Sequence, residues 1–321
     1  DLDSYYSDDK DLSINLAEKA IELDSNLVEA RILLGNIHYI LLHRKISGWS
    51  DGNVNFTKEE EKYFNQVTDI FNSAFKIAED NNNLQMMGVA KRWIGNTYSM
   101  IKDYEKTMIY WNEALEIAIE VNDRLCQIRC LGNMFGHRLR MHEYKEAEKL
   151  INQTIKINQT LNDIDETIGA YIAIARLYNE WGSYLFTKEK DNLTSFNYWN
   201  KAIEYLENAL ELNKKTDDVR TRISILTRSS SYYADLEDFN KAIEINEEAF
   251  NLAKDSKTDL GEFALHMVFL NKKRYSAAKG NFDDALRYLE KNLEYHIKDN
   301  STVGQIYTLS QMGVLSYHAK N

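Results

Sequence analysis

Apolar and small residues recur along this chain at two spacings: three to four residues, and forty residues. The short spacing is that of an amphipathic helix. It is clearest in residues 89 to 118, VAKRWIGNTYSMIKDYEKTMIYWNEALEIA, which read as two helices meeting at Asp103-Tyr104. The long spacing links Gly95, Phe135 and Ala175, each forty from the next, and again Lys273 and Gly313. Gly35 lies sixty before Gly95, and Ala175 fifty-five before Ser230, so twenty and fifteen extra residues enter there; Ser230 to Lys273 is forty-three. A period in this range predicts a solenoid of stacked helix pairs.

The second helix of each pair opens with an aromatic residue and has a slim one three places on. These pairs are Phe64/Val67, Tyr104/Thr107, Tyr144/Ala147, Trp199/Ala202, Phe239/Ala242 and Phe282/Ala285. Asp103, Glu143, Asp238 or Asn281 precedes the aromatic, and Asp and Asn there can accept orphan backbone N–H groups at a helix start. Seven residues past the slim position comes Ala74, Ala114, Thr154, Ala209, Ala249 or Asn292. Small residues seven apart share a helical face and admit a neighbouring helix. The close-packing position of the next pair follows twenty-one residues after Ala74, Ala114, Thr154, Ala209 and Asn292.

This pattern resembles the tetratricopeptide repeat family, whose signature places its Gly at Gly95, its aromatic at Tyr98, its turn at Asp103-Tyr104 and its Ala at Ala114. Thr107, Phe135, Lys273 and Asn292 depart from the family's small residues, and Ser25 stands where a repeat-ending Pro is usual. The resemblance implies an all-α solenoid, a right-handed superhelix of about seven antiparallel helix pairs. A single array would fill 1–321, with pairs near 27–80, 84–122, 124–162, 164–214, 217–256 and 258–299, insertions at 41–60 and 181–195, and half-repeats at 10–24 and 302–318. Half-repeats expose an apolar face, so the sequence reads as a piece of a longer protein. Residues 5 to 39 also resemble repeat regions attached to bacterial nucleotide cyclases and serine/threonine kinases, which implies a signalling context.

Composition narrows the function. The 321 residues contain no proline and are 44% hydrophobic, which suits a nearly all-helical chain. A net charge of −11 disfavours general nucleic-acid or anionic-membrane binding, and no apolar run approaches the ~20 residues of a membrane span. Two cysteines, Cys126 and Cys130, four apart on a predicted helix, make no disulfide framework. A reducing, cytoplasmic setting is expected.

In this family the first helix of each pair lines the concave groove. That face here carries Arg92, Arg129, Arg140, Arg176 and Arg274 against Glu29, Glu180 and Asp235. Arginine forks suit carboxylates, so one reading is a groove for an acidic peptide or a C-terminal carboxylate; the other is surface charge paired with neighbouring acids. Arg92 and Asn96, with Asn133 in the next pair, look like part of the family's two-carboxylate clamp. The clamp's further basic pair would fall at Gly169 and Ala173 and is missing, with Arg176 as a substitute on the same helix. Asn36 and Asn96 could also bond a peptide backbone, as in the repeats of G-protein-signalling modulators. The insertions offer Trp49, Phe56, Tyr184 and Phe186 either as docking anchors or as parts of longer helices.

Catalytic and metal signals are absent. His38/His43 and His137/His142 are five apart, a poor spacing for a shared metal, and no Gly-rich phosphate loop occurs. The expectation is a non-enzymatic scaffold, without cofactor or metal, that binds a protein or peptide, possibly acidic. The alternatives are a self-association array that dimerises attached domains and a groove that senses a small molecule.

Overall fold

The computed structural model describes residues 2–46, 57–255, 259–298 and 300–319. Among them are fourteen α-helices, one π-helical turn and no strand. The fold is an all-α repeat solenoid, and the chain divides into two compact units, Asp1–Ile157 and Asn158–Asn321. The first holds α1 (Leu2–Leu23), α2 (Val28–Ile46), α3 (Lys58–Asp80), α4 (Leu84–Met100), α5 (Tyr104–Glu120), α6 (Arg124–Arg140) and most of α7 (Tyr144–Leu161). The second holds α8 (Ile164–Tyr184), α9 (Asn192–Thr216), α10 (Val219–Asp235), α11 (Phe239–Asp255), α12 (Asp259–Ala278), α13 (Phe282–Lys298) and α14 (Thr302–His318). From α1 to α6, and again from α8 to α14, each helix packs on the next. First helices also touch one another: α2 meets α4, α4 meets α6, and α10 meets α12.

The turns explain the regularity. Asn82, Lys102, Asn122, His142 and Asn162 are left-handed, with φ between 52° and 60°, and stand twenty residues apart. The next residue then does two jobs. Its N–H bonds back five residues, as in Asp103 to Tyr98 O (3.2 Å) and Asp123 to Ala118 O (2.8 Å), closing the helix in a Schellman turn. The side chains of Asn83, Asp103, Asp123 and Asp163 accept from the N–H three residues on and open the next helix. Glu143 is the exception: its carboxylate pairs with Arg138.

The slim and small positions are where helices meet. Val67, Ala74, Thr107, Ala114, Ala147, Ala202, Ala209, Ala242, Ala249, Ala285 and Asn292 are fully buried, and Thr154 nearly so. A Cβ on Gly95 would stand 2.6 Å from Trp111 Cδ1, and one on Gly35 would collide with the Phe71 ring. Phe135 is buried at the same place, and Ser230 donates there to Ala242 O at 2.9 Å. Position Lys273 is half-buried, and burial lowers its amine's pKa, with Arg274 adding to it.

The second insertion is helix. It extends α8 to Tyr184, adds the π turn Leu185–Glu189, and starts α9 at Asn192. Gly182 lets Trp199 lie against α8, and the Phe186 ring packs 5.5 Å from Trp199. The first insertion lengthens α2 to Ile46, and Thr57 opens α3 with a capping box to Glu60. Trp49 and Phe56 lie outside the described residues.

Candidate binding groove

Residues of α2, α4 and α6 line a cavity of about 340 Å³ in the first unit. Asn36, Arg92 and Arg129 line it together, with Leu33, Cys126 and Asp123 among the other walls. Arg92 lies two residues from Ala90 and from Ile94, on the opposite side of α4 from that core pair, and is buried among α2 and α6 instead. It is only 5% exposed. Its guanidinium lies 4.6 Å from the centre of the Trp93 ring, a cation–π contact. Its Nε is buried with no hydrogen-bond partner, as is Asn36 Oδ1. Burial lowers the Arg92 pKa, offset by Cys126 and Cys130 and reinforced by Arg129; a guanidinium stays charged through such a shift.

Cys126 and Cys130 are free, buried and hydrogen-bonded to each other. That bond lowers the Cys126 pKa, against the effect of burial and with help from Arg92. The same bond and burial raise the Cys130 pKa. Cys126 is a cavity residue with a weak signal in the sequence: its place three before Arg129, on a face shared with it.

The candidate clamp residues separate on inspection. Asn96 Oδ1 accepts from Trp111 Nε1 at 2.8 Å and from Asn133 Nδ2 at 2.7 Å. The two asparagines do meet, but the Asn96 carbonyl is already engaged in joining α4, α5 and α6. Arg129 and Arg140 are exposed and make no ion pair among the described residues. Arg140 lies in the last turn of α6, where a cation complements the helix dipole.

In the second unit the inner arginines are neutralised locally. Arg176 Nε bonds Glu180 Oε1 at 2.6 Å within α8. Arg274 of α12 pairs with Asp235 of α10 and donates to Ser231 Oγ at 3.2 Å. Asp235 also accepts from Asn179 Nδ2 at 3.0 Å, tying α8 to the same carboxylate. A cavity of about 350 Å³ in this unit is lined by Asp165, Asp218 and Gly169 and has no cation in its lining. Of the five arginines, then, Arg92 and Arg129 share a cavity, Arg176 and Arg274 pair with acids, and Arg140 sits at a helix end.

Histidines have separate tasks. His38 Nδ1 bonds Tyr63 at 2.8 Å and His142 Nδ1 bonds Tyr144 at 2.9 Å. His137 packs its ring 4.7 Å from Tyr104. Among the described residues no three His, Cys, Asp or Glu side chains cluster as metal ligands. No helix among them is long and apolar enough to cross a membrane.

Comparison with known proteins agrees with this fold. No curated protein matches the chain in sequence. Among solved structures, the human IFIT1 dimer with m7Gppp-AAAA superposes with a TM-score of 0.62 at 14% identity, over 96% of this chain and 59% of that one. This chain therefore spans less than two thirds of that relative. The STAND protein with a tetratricopeptide repeat sensor, PH0952 from Pyrococcus horikoshii, gives 0.55 at 17% identity, over 98% of this chain and 44% of that one. Aspartyl phosphate phosphatase F from Bacillus subtilis gives 0.54 at 10% identity, over 93% and 73%. At these identities the likeness is one of fold. A protein-family model described as the SusR N-terminal TPR domain matches residues 97–280. That match takes in more than half of the chain, and the chain belongs to this tetratricopeptide-repeat family.

Proposed function

We propose that the α2–α4–α6 groove binds a segment of a partner protein that carries an acidic group, and that the chain is a scaffold rather than an enzyme. One observation carries the reading: within one cavity a buried guanidinium with an unpartnered Nε stands beside an exposed, unpaired one, Arg92 and Arg129. An acid reaching them would meet two cations, with Glu29 and Asp123 as the two carboxylates in the same lining, where the chain as a whole is at −11. Asn36 Oδ1, unpartnered in the same wall, would accept from a backbone N–H on this reading. Leu33 and Leu125, each 50% exposed, give an apolar side chain somewhere to lie. On this reading Asn96, Asn133 and Arg140 shape or flank the groove, and Arg176 and Arg274 take little part because their acids compete.

The regulatory region of a larger, cytoplasmic signalling protein is the setting this function suits. The acidic charge disfavours nucleic acid as the partner, although the IFIT1 structure holds a capped RNA. Capture from native lysate tests the reading. Wild type should retain a partner that Arg129→Glu loses and that Arg176→Glu keeps, with equal helicity in all three. Equal retention by Arg129→Glu would contradict it, and nuclease-sensitive capture would point to nucleic acid instead.

A second reading is self-association, favoured by α14. Val303, Ile306, Tyr307, Val314 and Tyr317 are 57% to 79% exposed along it, more than an isolated surface helix ordinarily offers.

A further inference from the structure

A second cavity, of about 840 Å³, lies on the first unit and shares no lining residue with the groove. Ile21 of α1, Arg31 and Leu34 of α2, and one stripe of α3 from Lys58 to Ser73 line it. The stripe runs roughly 22 Å at the rise of an α-helix. Its volume is within the range of small-molecule sites.

The repeat itself reveals what is missing there. Gly35 and Gly95 are equivalent at a step of sixty, so Arg31 corresponds to Lys91. Ala74 and Ala114 are equivalent at a step of forty, so Ser73 corresponds to Glu113. In the α4–α5 pair, Lys91 Nζ lies 2.7 Å from Glu113 Oε2. The α2–α3 pair keeps the cation but replaces its carboxylate with a serine. Arg31 Nη1 is left buried with no hydrogen-bond partner, a costly arrangement for a charged donor.

The surroundings do not repair the loss. Asp69 and Glu61 line the same cavity, yet neither forms an ion pair with Arg31 among the described residues. Lys58 and Lys62 stand further along the stripe, also unpaired, so the lining carries three cations against two acids. Ile21, Leu34 and Ile70 supply apolar surface beside them.

We propose that this cavity is a ligand site for a small organic anion. Its carboxylate or phosphate takes the place held by Glu113 in the next repeat, between Arg31 and Ser73. Its apolar body lies along Ile21, Leu34 and Ile70, and Lys62 adds long-range attraction.

Calorimetric titration of the whole chain with 2-naphthoate, 2-naphthyl phosphate and neutral 2-naphthamide tests this. One or both anions should bind at least about tenfold more tightly than the amide, a difference of 1.4 kcal/mol at 25 °C. The better anion identifies the headgroup. Ser73→Glu restores the carboxylate of the next repeat; it should raise the thermal midpoint and weaken anion binding at least about tenfold. Arg31→Met should weaken it equally, and Arg129→Glu, in the other cavity, should leave it unchanged. Equal binding of amide and anions, no binding at about 10 mM, or unaltered binding by Ser73→Glu and Arg31→Met would each overturn the proposal. A lower midpoint for Ser73→Glu would overturn it too, since the carboxylate would then not suit Arg31. Loss on Arg129→Glu alone would put the anion in the inner groove, sinking this site while leaving the groove reading intact.

Discussion

Arg92 and Arg129 sit one repeat apart with different fates, and the sequence could not separate them. Position in the forty-residue repeat put both on the expected inner face; burial is a property of the neighbours. Arg92 is enclosed because Trp93 offers a ring beside it and residues of α2 and α6 close round it. Arg176 is another arginine of the expected inner face, but Glu180 one turn later is within 2.6 Å, and that i,i+4 pair was legible from spacing alone. The Arg274–Asp235 pair joins different helices and was not. His137 shows a titratable group at the same scale. It is 4% exposed, and burial lowers its pKa, assisted by Arg140 and Arg138 and opposed by Glu143. The unfolded chain therefore takes up this proton more readily than the folded one, so the contribution to stability is full above about pH 6.5 and declines as pH falls below it. We expect His137→Gln to make the fall in thermal midpoint between about pH 7.5 and 5.5 shallower than in wild type. Parallel curves would show that His137 does not carry it.

Helices and turns were the legible level. The forty-residue spacing is visible because aromatic, slim and small residues are all demanded by one contact, the close crossing of neighbouring helices. The twenty-residue half-period of the turns was less visible, since Asn, Lys, His and Glu all serve at the left-handed position and only one is glycine, Gly280 at φ 74°. Chemistry at that position varies because the backbone bonds, not the side chain, close the turn. The cost is conformational: a non-glycine residue there gives up about 1–2 kcal/mol, partly offset by glycine's greater freedom when unfolded. Glu237, exposed and at φ 62°, should gain about 0.5–1 kcal/mol on Glu237→Gly, raising the midpoint by roughly 2 °C. Gly280→Ala should lower it by a similar amount, because a Cβ there meets nothing within 4 Å and only the backbone is strained. Opposite signs in both melts would contradict this account of the turns. The second insertion, open in the sequence between docking edge and longer helix, lengthens α8 past Gly182, where Trp199 packs.

For the whole molecule, the pattern of charge matters more than its total. In a chain at −11, Arg92 and Arg129 of the first unit share a cavity without an ion pair among the described residues, and in the second unit Arg176 and Arg274 pair with Glu180 and Asp235. Sequence counting gave five arginines equal weight; three-dimensional pairing leaves two in a shared cavity. The exposed apolar residues of α14 belong to this scale as well. If they drive self-association, sedimentation equilibrium should find a dimer that Ile306→Glu returns to monomer, and identical masses for the two chains would remove that reading. The groove is the central claim, and its most direct measurement is the affinity of the captured partner for wild type, Arg129→Glu and Arg176→Glu at low and high salt. The account predicts at least about tenfold loss for Arg129→Glu, equivalent to 1.4 kcal/mol, little change for Arg176→Glu, and a salt dependence that is reduced in Arg129→Glu. Equal affinities for all three proteins, with the same salt dependence, would contradict it.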